Sequence, residues 1–186
     1  GDVYKRQLRE KSQKDSLTGL LNNSTIKQQI GARLQSLKRG QTGYLVVQDV
    51  DSFKKINDTN GHLFGDAVLC SFADELSNIF PEALKGRIGG DEFVFYVEDM
   101  DREHLEEKLK QLNRCMSDRY DDDKTGLHIS CSLGAAVTDG TVTDYNLLFQ
   151  WADAALYQVK SKGKGAYYLL DVKEGVALPG KSYLDL

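Results

Sequence analysis

Apolar residues recur along the chain in two rhythms, one of three to four residues and one of two or fewer, and the switches between them outline the elements. Ile26, Ile30, Leu34 and Leu37 stand three or four apart, which predicts a helix opened by Ser24 as N-cap and stopped by Gly40. Residues 44–50, YLVVQDV, are almost continuously apolar, the pattern of a central strand buried on both faces. Past residues 51–58 and an Asn60-Gly61 turn signal, helical spacing returns over 62–79. Leu63, Val68, Leu69, Phe72, Leu76 and Ile79 lie on or near one face there, and Pro81 marks the end. Residues 85–88 and 92–97 read as the arms of a hairpin about Gly89-Gly90. A charged amphipathic helix is expected over 102–116, a long strand over 127–137 and a last strand over 167–170. Between those strands, residues 144–162 predict a helix with Leu148, Trp151, Ala155 and Val159 inward. Helices mixed with strands, and a hairpin at the centre, argue for an α+β fold with a mixed sheet flanked by helices.

The ends read differently. Residues 1–14 are rich in Lys, Arg, Glu and Gln with little apolar beyond Val3 and Leu8, so they form either an exposed helical connector stub or a solvated terminus without a role. Residues 171–186 show no period and are expected to be a packed or frayed C-terminal extension. The first residue is Gly1, which suggests a fragment of a longer chain.

Composition narrows the class. At 186 residues, 40% hydrophobic and 28% charged, the chain suits one globular domain rather than a fibrous or disordered protein. Its 24 basic and 28 acidic residues give a net charge of −4, which disfavours nucleic acid polymers as partners but leaves room for a small anion held by a few lysines. Cys70, Cys115 and Cys131 are odd in number and far apart, so they are expected to be reduced and mostly buried, as in a cytoplasmic protein. No apolar run reaches the ~18–20 residues of a membrane span, so no membrane contact is expected of this segment.

Three constellations carry candidate chemistry. Asp49-Val50-Asp51 ends the central strand, where carboxylates can hold a hard divalent cation or simply cap the strand. Residues 52–55 after it can open a short helix whose N–H groups face an anion. Gly89-Gly90-Asp91-Glu92-Phe93 places two acids after two glycines. The glycines would permit positive φ and close approach of a ligand. Alternation along the outgoing strand would send Asp91 toward Asp49 and Glu92 to the other face, while an ordinary hairpin with solvent-facing acids is the alternative. Lys160, Lys162 and Lys164 follow the last long helix, either complementing its dipole or reaching phosphates.

Taken together these residues resemble the GGDEF family of diguanylate cyclases. The resemblance rests on Asp15-x-Leu17-Thr18-Gly19-Leu20-x-Asn22, Asp49-Val50-Asp51-x-Phe53-Lys54-x-Ile56-Asn57-Asp58, Gly61-His62-x-x-Gly65-Asp66 and Gly89-Gly90-Asp91-Glu92-Phe93. Ser132-Leu133-Gly134 and Ala155-Leu156-Tyr157-x-x-Lys160 follow, so the match covers residues 15–170. It implies a central mixed, largely antiparallel five-stranded sheet flanked by helices, related to the palm of nucleotidyl cyclases and polymerases. It implies that Asp49, Asp91 and the carbonyl of Val50 bind Mg²⁺ or Mn²⁺, with Glu92 supporting the transition state, a second metal or proton removal. It assigns guanine to Asn57 and Asp66, and the triphosphate to Phe53, Lys54, Lys160 and Lys164 beside Gly89 and Gly90. The implied reaction joins two GTP into cyclic di-GMP plus pyrophosphate between two facing subunits of a homodimer. A catalytically weak GTP-binding module that regulates an attached domain is the alternative.

The chain departs from the family pattern at several points. The window matching the inhibitory Arg-x-x-Asp product site is Phe80-Pro81-Glu82-Ala83, which lacks both diagnostic residues. Asn23, Lys164 and Gly165 stand where Arg, Arg and Asn are usual, and Lys164 keeps the charge without the bidentate fork.

Overall fold

In the computed structural model, which describes residues 1–179, the elements run α1 (Asp2–Gln13), α2 (Asn23–Gln35), β1 (Gly43–Val50), α3 (Phe53–Asn60), α4 (His62–Ile79), β2 (Leu84–Arg87), β3 (Glu92–Glu98), α5 (Arg102–Tyr120), β4 (Cys131–Thr138), α6 (Tyr145–Ser161) and β5 (Tyr167–Asp171). The strands form one sheet in the order β2-β3-β1-β4-β5. Every neighbouring pair is antiparallel except β4 and β5. This is the α+β fold with a largely antiparallel five-stranded sheet that the sequence implied.

β1 lies at the centre and is buried on both faces, which explains its almost continuous apolar run. Val46 and Val50 share one face with Phe93 and Phe95, packed against Leu69 and Phe72 of α4 and Leu105 and Leu109 of α5. Leu45 and Val47 share the other with Val94, against Ile26 and Ile30 of α2 and Leu148 and Trp151 of α6. Gly134 explains how close α6 comes. A Cβ there would lie 2.2 Å from the Leu156 amide nitrogen and 2.3 Å from the Ala152 carbonyl oxygen, so only glycine lets the helix backbone settle on β4.

Several boundaries differ from the sequence reading. Asn22, not Ser24, caps α2: its Oδ1 accepts from the Thr25 amide at 3.0 Å, and the Ser24 hydroxyl donates to that same oxygen. Leu63 is 87% exposed, because the face of α4 that meets the sheet begins a turn later. β2 begins one residue early, and α5 runs on to Tyr120, whose hydroxyl lies 2.5 Å from that of Ser71. β4 starts only at Cys131, since residues 122–127 turn back on themselves through Gly126 at φ 70°. Cys131 alone of the three cysteines is fully buried, and none is disulfide-bonded. Val172, in the extension, packs into the second core, and residues 180–186 of that extension lie outside the described residues. No helix of the described residues is long and apolar enough to cross a membrane.

Candidate functional site

The acidic residues gather where β1 and β3 end. Asp49 pairs directly with Glu92 across the two strands, so both side chains project on the α6 side of the sheet. The expectation that Glu92 faces away from Asp49 is therefore wrong: register, not alternation from Asp91, decides its face. Asp91 lies just outside β3, and its carbonyl accepts the Val50 amide at 3.3 Å, fastening the turn to the end of β1. The glycines also act differently from expectation, as neither Gly89 nor Gly90 has positive φ. A Cβ at Gly90 would meet nothing, so the pair leaves bare backbone beside the acids.

Lys160 reaches down from the last turn of α6, and its Nζ donates to Asp49 Oδ2. Asp49 Oδ1 is buried and has no hydrogen-bond partner among the described residues. Burial is the main cause that holds the Asp49 carboxyl above its ordinary range, against the pull of Lys160, with Asp91 and Asp153 adding to the rise. Burial raises Glu92 too, and the charges of Asp49, Asp153 and Asp91 push the same way. No three Asp, Glu, His or Cys side chains converge on one point among the described residues. An orphaned carboxylate oxygen, a half-buried glutamate opposite it and a nearby aspartate are nevertheless the hard oxygen donors that a divalent cation prefers.

Next to the acids lies a rim of cations and N–H groups. Ser52 adopts the left-handed conformation at φ 54° and starts α3, whose first N–H groups have no partner within the helix. The Lys164 ammonium donates to the Ser52 hydroxyl at 3.2 Å. Lys54 is exposed on the first turn of α3, while Phe53 is half-buried against the first core.

On the far side of α3, Asn57 meets Gly65. A Cβ at Gly65 would lie 1.8 Å from Asn57 Oδ1, so glycine is what lets the amide sit over the start of α4, beside exposed Asp66. One close approach between α3 and α4 thus sets Asn57 against the residue that precedes Asp66 in α4.

Arg87 braces the signature turn. Its guanidinium donates to the carbonyls of Gly89 and Gly90 and pairs with Asp15 at 3.2 Å. Burial opposes ionisation of Asp15, but hydrogen bonds from Thr18 and Arg87 outweigh it and hold the carboxyl below its ordinary range.

A family model described as diguanylate cyclase, GGDEF domain, matches residues 12–166. The chain belongs to the GGDEF family. Among curated relatives, the diguanylate cyclase DgcS of Shewanella oneidensis is 35% identical over 83% of this chain and 52% of its own length. The probable diguanylate cyclase DgcT of Escherichia coli is 30% identical over 86% of this chain and 36% of its own. The cyclic di-GMP phosphodiesterase PdeR of Escherichia coli is also 30% identical, over 87% of this chain and 24% of that protein. The chain thus spans from about a quarter to about half of the length of these relatives. Among solved structures, the coiled coil and GGDEF domain of DgcB from Caulobacter crescentus, in complex with c-di-GMP, superposes with a TM-score of 0.83 at 25% identity, covering 91% of each chain.

Within this GGDEF domain, the window that lacks Arg-x-x-Asp is given over partly to packing. Phe80 is buried against Phe95, with ring centroids 4.8 Å apart. A groove of about 770 Å³ beside it, lined by Arg33, Glu98, His104 and Lys108 among others, lies at the opposite end of β3 from the signature turn.

Two residues near the site, Arg87 and Asp153, escape the sequence reading, and a third, Asp51, takes a different place from the one its motif suggests. Arg87 carries no local signal, since its partner Asp15 is 72 positions away. Asp153 stands seven residues before Lys160, two helical turns along one face, and that spacing was the available clue. Asp51 shares a motif with Asp49, but its carboxylate turns instead to Ser130, Ser132 and the Gly165 amide.

Proposed function

We propose that this domain condenses two GTP molecules into cyclic di-GMP and pyrophosphate at the interface of a homodimer, using Mg²⁺ or Mn²⁺. The observation that carries the reading is Asp49. Its buried Oδ1 has no hydrogen-bond partner among the described residues, while Glu92 stands opposite on β3, Lys160 donates to Oδ2 and Asp91 holds the adjoining turn. Asp49, Asp91, Glu92 and the carbonyl of Val50 would hold the cation. Once bound, such an ion supplies charge to polarise a phosphate and to make a hydroxyl more acidic.

The chain's own groups divide the remaining work. Asp66 and Asn57 would bind guanine, since a carboxylate accepts from its N1–H and 2-amino group, an edge adenine lacks. The α3 N-terminus, Lys54, Lys160 and Lys164 would hold the triphosphate, and the bare backbone of Gly89-Gly90 lets it approach. Fixing the α-phosphorus in line with an incoming 3′-hydroxyl is then mostly a matter of position and charge. One guanine pocket per chain holds one GTP, so two chains facing across a twofold axis bring together the two substrates. A GTP-consuming domain belongs in the cytoplasm.

Incubation with GTP and Mg²⁺ tests this directly, with the chain also dimerised by a fused coiled coil. Cyclic di-GMP is the expected product, and Asp91→Ala should abolish it without unfolding the domain. GTP binding without product, even when dimerised, would favour a regulatory nucleotide-binding module. Full turnover by Asp91→Ala would remove that residue from the cation site.

A further inference from the structure

Asp51 lies two residues beyond Asp49 but points away from the acidic pair. Its buried carboxylate accepts the Ser132 hydroxyl on Oδ1 at 2.6 Å. On Oδ2 it accepts the Ser130 hydroxyl at 2.6 Å and the Gly165 amide at 3.0 Å. The Gly165 amide is shared with Ser132 Oγ at 3.1 Å, and the Asp51 amide donates to the Ser130 carbonyl at 2.9 Å. Hydrogen bonds to a carboxylate are about twice as strong as neutral ones. This cluster therefore ties the end of β1, the entry to β4 and the loop after α6 into one unit.

What the cluster holds is unusual backbone. Gly163, Lys164 and Gly165 follow one another with φ of 116°, 67° and 66°. Lys164 is the residue in that run that disfavours left-handed geometry, so the conformation depends on outside support. Two bonds supply it: the Lys164 amide on the Val159 carbonyl at 3.1 Å, and the Gly165 amide on Asp51. On its other side Asp51 runs directly into Ser52, also left-handed, whose hydroxyl receives the Lys164 ammonium. One buried carboxylate thus joins both the Lys164 loop and the start of α3, the two cationic and N–H groups beside the acidic pair.

We infer that Asp51 is a positioning residue for the polyphosphate, which it never touches: acting through Gly165, it aims the Lys164 ammonium. The inference rests on the reading of the β1 and β3 ends, with α3 and the Lys164 loop, as a GTP site. Asp51→Asn keeps the size but removes the charge and one acceptor, so the loop is held less firmly.

The test is a thermodynamic cycle read by calorimetric titration. The probe is 3′-deoxy-GTP with Mg²⁺, which lacks the attacking hydroxyl and so stays intact. Asp51→Asn and Lys164→Met should each weaken binding by about tenfold, and the double variant should bind no more than about twofold worse than the weaker single variant. A general loosening of the fold would instead make the two losses multiply, to about a hundredfold, and that result overturns the inference. So does Asp51→Asn binding within about twofold of the unaltered chain. If Asp51→Asn fails to melt cooperatively, Ser130→Ala replaces it in the same cycle. It should weaken binding about threefold alone and not at all beside Lys164→Met, and any other pattern counts against Asp51. If the unaltered chain fails to bind the probe, the GTP reading itself falls, and the inference with it.

Discussion

Asp49 and Glu92 sit opposite one another on β1 and β3, and burial is the first cause of the upward shift of both carboxyls. The unfolded chain releases these protons at lower pH than the fold does. Over that interval the fold binds more protons, so the contribution of the pair to stability falls as pH rises from the ordinary carboxyl range through the raised values. Removing one of the charges should therefore steady the metal-free protein. Glu92→Gln is expected to raise the melting temperature at neutral pH by about 2 °C while cutting cyclic di-GMP formation by at least about tenfold. A lower melting temperature would show that Glu92 is stabilised by its neighbours rather than repelled by them. Asp66 makes a sharper prediction about specificity. Asp66→Ala should narrow the preference for GTP over ATP by about tenfold or more, because the guanine donors lose their acceptor, and competition binding with the two nucleotides measures it. An unchanged preference would take Asp66 out of the guanine pocket.

Between elements, the brace formed by Asp15 and Arg87 matters most. It joins the segment ahead of α2 to the carbonyls of the β2–β3 turn, so the turn is gripped from outside the hairpin. Both side chains are about one-fifth exposed, and the pair is reinforced by the Thr18 hydroxyl and amide on Asp15. Arg87→Ala should destabilise the domain by about 1–3 kcal/mol in urea unfolding, by leaving carbonyls and a carboxylate without their partner. Turnover should drop more than this stability loss explains, since the freed turn carries Asp91. Because the Asp15 carboxyl is held below its ordinary range, the brace contributes fully above that range. Its contribution is lost as pH falls through the depressed value. In Arg87→Ala the acid limb of the stability curve should be shallower, and an unchanged limb would assign that slope to other carboxylates.

For the whole molecule, one acidic centre lies at the ends of β1 and β3, and one Asn57 and Asp66 pair lies on α3 and α4, which follow β1. If two chains must meet for each reaction, initial rates at low protein concentration should rise with about the square of concentration, and linearly once dimerisation is saturated. A linear rate throughout the dilute range would require both substrates to bind one chain. A fused dimeric coiled coil at the α1 end should abolish the quadratic regime. Exposed Val3, Tyr4 and Leu8 on α1 are compatible with such an attachment, since no described residue packs over them closely enough to bury them.

Local periodicity made most of the elements legible: 44–50 as a two-sided strand, 144–162 as a helix with Leu148, Trp151, Ala155 and Val159 inside. Those patterns depend on neighbours within a turn or two, which the order of residues contains. The candidate groups of the site were legible as motifs at Asp49, Asn57, Asp66, Gly89 to Glu92 and Lys160, because residue types and their spacing are written in the chain. Its geometry was not. Whether Glu92 faces Asp49 depends on the register of β3 against β1, and a shift of one residue would reverse it. That Asp51 serves the Lys164 loop, and that Arg87 finds Asp15, depends on contacts spanning 114 and 72 positions. Sequence by itself determined which chemical groups the chain brings and the local segments that carry them. Only the tertiary structure decided which of those groups meet, because the pairing of distant strands and loops is settled by packing the whole sheet at once.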